Sequence, residues 1–190
     1  MQENKLVINA FLFDGFTGLD LFGPLEILSR LDNAKCVYMS LGGGLVKSAQ
    51  GCAIKTNDLS AFVKNNILLL PGGSGTRILV NDEVVLNALK NLVYQSKFTL
   101  CVCTASALLA RTTCLDDKKA TTNAKAFEWV KSQNERVLWQ KNARFVRDEN
   151  IYTSAGVSAG IDMAFAFVRE NYGEQKAKEI AEHIEYKSFA

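Results

Sequence analysis

The sequence predicts an α/β protein: an open, mostly parallel sheet covered by helices on both faces. Three observations lead there. Residues 5–13 (KLVINAFLF) and 67–70 (ILLL) are near-continuous apolar runs rich in β-formers, the signature of strands buried on both sides. Between such runs lie stretches with the helical spacing of apolar residues, an alternation that favours parallel strands joined by crossover helices. Hairpin signals occur only as additions to that alternation. Ligands of such folds bind beyond the carboxyl ends of the strands, so the loops at that edge are where chemistry is expected.

Taken in order, the first strand (residues 5–13) turns at DGFTG. Residues 19–31 (LDLFGPLEILSRL) have helical spacing through Leu21, Leu25, Ile27, Leu28 and Leu31. Gly23 and Pro24 place the regular helix after Gly23, with Pro24 in its first turn. Asp20 then lies just ahead of that turn, where capping and chemistry are both open to it. Residues 35–41 (KCVYMSL) form a second strand, ended by Gly42, Gly43 and Gly44. No helix-forming segment follows these glycines and the G-x-x-x-x-G-K-[ST] spacing is absent, so a tight hairpin is expected, leading into short strands within 45–56 broken at Gly51.

The buried strand 67–70 runs into Pro71-Gly72-Gly73-Ser74-Gly75, and a helix follows over about residues 82–95. After a central strand and helix at 97–111 come a polar turn and an extended segment, CLDDKKATT. Asn123 opens an amphipathic helix to about residue 132, with capping as its structural job. Residues 136–139, 143–147 and 151–154 read as short strands, the last two joined by Asp148-Glu149-Asn150. AGVSAG at 155–160 leads into an apolar helix closed by Gly173. An amphipathic helix over about residues 174–186 carries Ala177, Ile180, Ala181 and Ile184 on one stripe.

With 190 residues, 48% hydrophobic and 22% charged, the chain is expected to form one domain, 1–190, around one substantial core. Its net charge is +2 and its charges are scattered, which gives no electrostatic support to a nucleic-acid or membrane-surface role; a small molecule or another subunit is the expected partner. No apolar run approaches the ~18 residues of a membrane span, and the first residues lack the order of a signal peptide, so a cytoplasmic location is expected. The 5 cysteines (Cys36, Cys52, Cys101, Cys103, Cys114) match no zinc spacing, and His183 is the 1 histidine. Reduced thiols, no metal and no cofactor are expected; a Cys101–Cys103 disulfide would be strained.

Residues 97–111, KFTLCVCTASALLAR, carry the strongest chemical signal. Apolar, β-favouring residues run straight into Cys103, and a helix begins at Thr104 with no intervening loop. A side chain at such a corner sits over the first helical turn, where unpaired N–H groups and the helix dipole favour thiolate over thiol. This is the cysteine counterpart of the nucleophile elbow of serine hydrolases. The same local pattern also fits a buried core cysteine. The PGGSG loop allows backbone N–H groups to approach a ligand, or serves as a flexible connection.

Together FDGFTGLDLFGPLEIL, LLLPGG, CVCTASALLA, KKATTN and TSAGVSAGIDMAF resemble the DJ/PfpI superfamily, relatives of class I glutamine amidotransferases, over nearly the whole chain. Within it the sequence is most similar to isonitrile hydratases and to the ligand-binding halves of certain transcriptional regulators. Those regulators continue into a helix-turn-helix region, for which no residues are expected after Ala190. The resemblance implies a flavodoxin-like parallel sheet sandwiched by helices, a homodimer, a cysteine nucleophile at Cys103 and an acidic partner at Asp20. It also implies backbone donors for developing negative charge at Gly73 and Thr104, and a pocket near Gly72, Asn123 and Val157.

One departure from the family pattern stands out. Many relatives read ATTH where this chain reads Ala120-Thr121-Thr122-Asn123, and an amide cannot accept a proton near neutral pH. His183, between Glu182 and Glu185 on the terminal helix, is not expected to replace the missing imidazole. The implied activity is a lyase reaction, hydration of an isonitrile through a Cys103 thioimidate with Asp20 moving protons, which needs no protonated amine leaving group. Glyoxalase or deglycase chemistry and an oxidation-sensing Cys103 are the alternatives. Phe16, Phe22, Ile78, Val157 and Met163 are the side chains expected to shape the pocket.

Overall fold

The alternation of apolar runs and helical stretches becomes, in a computed structural model describing residues 6–187, ten strands and seven α-helices. The strands are β1 (Val7–Phe11), β2 (Lys35–Met39), β3 (Gly42–Lys47), β4 (Ala53–Asp58), β5 (Ile67–Leu70), β6 (Phe98–Val102), β7 (Lys119–Ala120), β8 (Leu138–Trp139), β9 (Phe145–Asp148) and β10 (Ile151–Ser154). The helices are α1 (Gly18–Leu28), α2 (Thr76–Leu79), α3 (Glu83–Gln95), α4 (Ala105–Arg111), α5 (Phe127–Lys131), α6 (Ala159–Tyr172) and α7 (Glu174–His183). The expected start of the first strand at Lys5 lies outside the described residues. Among the described residues no helix is long and apolar enough to cross a membrane.

Eight strands form one sheet in the order β3-β4-β2-β1-β5-β6-β10-β9. All neighbours from β4 through β10 pair in parallel, and only the edge strands β3 and β9 run antiparallel. β1, β5 and β10 are buried at every residue, as strands with helices on both faces must be. α6 covers one face: Phe167 sets its ring edge-on to Phe98 of β6 and Tyr152 of β10, at 5.2 and 5.4 Å between centroids.

Two local expectations are corrected. The three glycines do not make a hairpin turn; they open β3, and the turn to β4 is built on Ser48, whose Oγ accepts from the Gln50 and Cys52 N–H groups. The helix after β1 does not wait for Pro24 either. It begins at Gly18, with Thr17 at the capping position, and Pro24 stands inside it. A proline there leaves the Asp20 carbonyl without its helical donor, at a cost of about 3 kcal/mol in an unsupported helix. Tertiary packing offsets that cost. A Cβ at Gly160 of α6 would stand 3.2 Å from the Pro24 ring, and one at Gly23 would stand 2.9 Å from Ile161, so the two helices approach through their glycines. This approach brings the first turn of α1, and Asp20 with it, beside the loop that precedes α6.

Candidate active site

Cys103 occupies the corner between β6 and α4, as its sequence setting predicts. Its φ of 59° lies in the left-handed region, a conformation that costs a non-glycine residue of order 1–3 kcal/mol. Three hydrogen bonds hold it there: the Cys103 N–H donates to the Ser154 carbonyl at 3.1 Å, and the Cys103 carbonyl accepts from the Ser106 and Thr122 hydroxyls, both at 3.0 Å. Cys103 is 6% exposed.

Asp20 lies in the first turn of α1 and is fully buried, but it caps nothing. Its Oδ2 accepts from the Gly72 N–H at 3.1 Å. The Cys103 thiol and the Val157 N–H also bear on the carboxyl, yet Oδ1 has no partner of full hydrogen-bond geometry. Burial pushes the carboxyl up to about 6 against the downward pull of those hydrogen bonds. Burial, then the Asp20 charge, push the Cys103 thiol up to about 11, while the Thr104 N–H and the Asn123 amide pull it down. At neutral pH the resting pair is therefore a carboxylate and a thiol. The thiolate expected from the helix terminus is corrected: α4 contributes one N–H to the sulfur, and burial beside a carboxylate outweighs it.

The loop after β5 holds these groups together. A Cβ on Gly72 would lie 2.6 Å from the Thr104 nitrogen and 2.9 Å from the Cys103 Cβ, so only glycine fits against the corner. Thr17 N–H donates to the Gly72 carbonyl at 2.8 Å, tying α1 to the same loop. The Gly73 N–H, expected to face developing charge, instead donates to the Thr104 hydroxyl at 3.0 Å, and the Gly72 N–H is committed to Asp20. Of the expected backbone donors, Thr104 is the one whose N–H acts on the acidity of the thiol.

Asn123 does cap the turn that follows it, its Oδ1 accepting from Lys125 and Ala126 N–H groups at 3.0 and 3.2 Å. Its amide also pulls the Cys103 thiol down, although no bond of full hydrogen-bond geometry joins the two. Of the expected pocket side chains, Phe16 and Met163 are fully buried core residues, whereas Phe22, Ile78 and Val157 are exposed. His183 lies with Ser29 and Arg30 beside the far end of α1, nine residues or about 13 Å along the helix from Asp20. Sequence reasoning did not find the Val157 N–H or Gly156. The unusual left-handed φ of Val157, 50°, has no local sequence signal.

Residues 7–170 match the family model described as the DJ-1/PfpI family. The chain is 29% identical over 182 residues to an isonitrile hydratase of Pseudomonas putida, an alignment covering 95% of this chain and 78% of that protein. Its fold superposes with a TM-score of 0.88 on a ThiJ/PfpI family protein from Pseudomonas syringae, 27% identical, covering 98% of this chain and 77% of the other. Drosophila melanogaster DJ-1beta, 21% identical, superposes with a TM-score of 0.80 over 97% of this chain and 100% of its own, a likeness of fold.

Proposed function

The chain belongs to the DJ-1/PfpI family, and from that premise we propose that it hydrates an isonitrile to the N-substituted formamide. The observation that carries this reading is the buried Asp20 carboxyl against the Cys103 thiol, with an amide where an imidazole would stand. One carboxyl and one thiol suffice for an addition reaction; expelling an amine would call for a further acid.

The Cys103 sulfur adds to the terminal carbon of the isonitrile as its proton passes to Asp20. Asp20 then delivers that proton to the same carbon, leaving a thioimidate, R–N=CH–S–Cys103. Water adds to this carbon, its proton passing through Asp20 to the nitrogen. The C–S bond breaks, the hydroxyl proton returns to the sulfur, and R–NH–CHO leaves with thiol and carboxylate restored. The carboxyl near 6 can both take and give a proton at neutral pH. The thiol does not need prior ionisation, because the carboxyl that takes its proton stands beside it. Val157, an exposed apolar residue whose N–H bears on the acid, suits an apolar R group.

A panel of alkyl and aryl isonitriles, with methylglyoxal alongside, tests the reading on the wild type, Cys103→Ala and Asp20→Asn. Formamide production by the wild type, lost in both variants, is the expected result. Absence of turnover on every isonitrile, or full turnover by Cys103→Ala, would overturn it; turnover of methylglyoxal alone would transfer the site to α-oxoaldehyde chemistry.

A further inference from the structure

A cavity of about 350 Å³ opens at the same sheet edge as Cys103, with Thr122, Phe127, Lys141, Arg144 and Ala155 in its wall. Backbone hydrogen bonds tie it to the corner. The Thr122 hydroxyl donates to the Cys103 carbonyl at 3.0 Å, and the Cys103 N–H donates to the carbonyl of Ser154, the residue before Ala155. The Ala155 N–H in turn donates to the Arg144 carbonyl at 2.9 Å. Both charged side chains in this wall are basic, and their acidic partners, Glu128 for Lys141 and Asp162 for Arg144, stand outside it. Cavities elsewhere mix the signs: Asp32 with Lys64 and Lys97 at the amino ends of the central strands, and Asp116 and Glu149 with Lys118 beside Tyr94.

From this cavity we infer that the substrate of Cys103 carries a carboxylate, and that Lys141 and Arg144 bind it as specificity-determining residues. The inference rests on the hydratase reading for the reacting end: the isonitrile carbon lies at Cys103, an apolar spacer follows, and the carboxylate ends in the cavity. Phe127 and Ala155 give the wall an apolar part that suits such a spacer. Arg144 has donors to spare. Its Nε is held by Asp162 and its Nη2 lies 3.4 Å from the Ser158 hydroxyl, but a guanidinium has five N–H groups. Lys141 meets Glu128 at 2.8 Å with both side chains largely exposed, a weak pair from which the ammonium is free to turn to a ligand. A guanidinium fork beside a point charge matches one carboxylate.

The test uses two labels for Cys103, an iodoacetamide carrying a carboxypentyl tail and the methyl ester of the same reagent, which differ in the charge at the end of the spacer. The readout is the ratio of their alkylation rates at Cys103, followed by peptide mass, in the wild type, Lys141→Gln, Arg144→Gln and Lys125→Gln. The expected result is a ratio of acid to ester lowered about two- to fivefold by each of the first two substitutions. In the wild type the ratio should also fall as salt rises from about 10 mM to about 1 M, where screening shortens from about 30 to about 3 Å. A ratio unchanged in Lys141→Gln and Arg144→Gln would overturn the inference. So would an equal fall in Lys125→Gln, an exposed lysine outside the wall, because a diffuse field and not a site would then be at work. Should Arg144→Gln fail to fold, Lys141→Gln decides alone: a lowered ratio supports the site and an unchanged one overturns it. The labels need no isonitrile, so a wild type that hydrates none removes the hydratase reading alone and leaves the carboxylate subsite to another substrate of Cys103.

Discussion

The Asp20 carboxyl and the Cys103 thiol meet at the carboxyl edge of the sheet and hold one proton between them at neutral pH. Neither arrives by a local device. Asp20 is brought by a helix that follows β1, Cys103 by the corner after β6, and the glycines of the loop after β5 close the gap between them. The loop after β10 adds the Val157 N–H. Four loops at one sheet edge, with Asn123 from the segment after β7, thus set the acidity of two side chains.

Removing the charge of Asp20 should therefore split reactivity from turnover. In Asp20→Asn the carboxylate no longer opposes ionisation of Cys103, so thiolate becomes more abundant and iodoacetamide reacts faster at pH 8. Turnover of an isonitrile should fall by about 10²- to 10⁴-fold, the usual worth of a positioned acid-base group. Alkylation rates and turnover measured on one preparation check both. Parallel losses in the two would mean that Asp20 mainly supports the fold.

Stability should decline in two steps as pH rises. Asp20 goes from an ordinary 3.8 to about 6 on folding, so between those values the folded state binds more protons than the unfolded one, and raising the pH disfavours folding. The full step is on the order of 3 kcal/mol for this buried group. Cys103, raised from 9.0 to about 11, gives a second decline with the same sign in the alkaline range. Urea unfolding at intervals of pH checks this: Asp20→Asn should flatten the acid step and Cys103→Ala the alkaline one.

Gly72→Ala should damage both fold and site. Its Cβ would press on the Thr104 nitrogen and the Cys103 Cβ, and neither is the free end of a flexible side chain. Overpacking of this kind costs typically about 1–3 kcal/mol, and relief requires moving the loop that donates to Asp20. A lowered melting temperature together with a shifted Cys103 alkylation profile is the expected outcome.

What the sequence disclosed follows from how local each feature is. The buried strands and the corner at Cys103 were legible because apolar runs and a strand abutting a helix are written in consecutive residues. The start of α1 was not: Pro24 signals a first turn by local preference, and its place inside the helix depends on Gly160 across the interface. The three glycines misled for a related reason, since the hairpin is decided by Ser48. The helix terminus argued for thiolate at Cys103, but burial and Asp20, both products of tertiary structure, decide otherwise. Asn123 was visible as a cap and as a departure from the family pattern; that its amide also bears on the acidity of Cys103 is a product of tertiary structure.

Thr104→Val tests whether the loop after β5 is held by the Thr104 hydroxyl or by packing alone. That hydroxyl accepts the Gly73 N–H at 3.0 Å, and the Thr76 hydroxyl, which donates to the Gly73 carbonyl at 2.7 Å, lies 3.1 Å from it. Valine has nearly the same shape and no acceptor, so the Gly73 N–H loses its partner while the packing survives. Leaving a donor unpaired costs about 1–3 kcal/mol where water cannot reach it, and Gly73 is half-buried, so the lower end is expected. The Thr104 N–H, a backbone group, still acts on the thiol. Stability should therefore fall by about 1 kcal/mol in urea unfolding while the Cys103 alkylation midpoint stays near its wild-type value. A large shift of that midpoint would mean that the hydroxyl holds the Thr104 backbone in place against the sulfur.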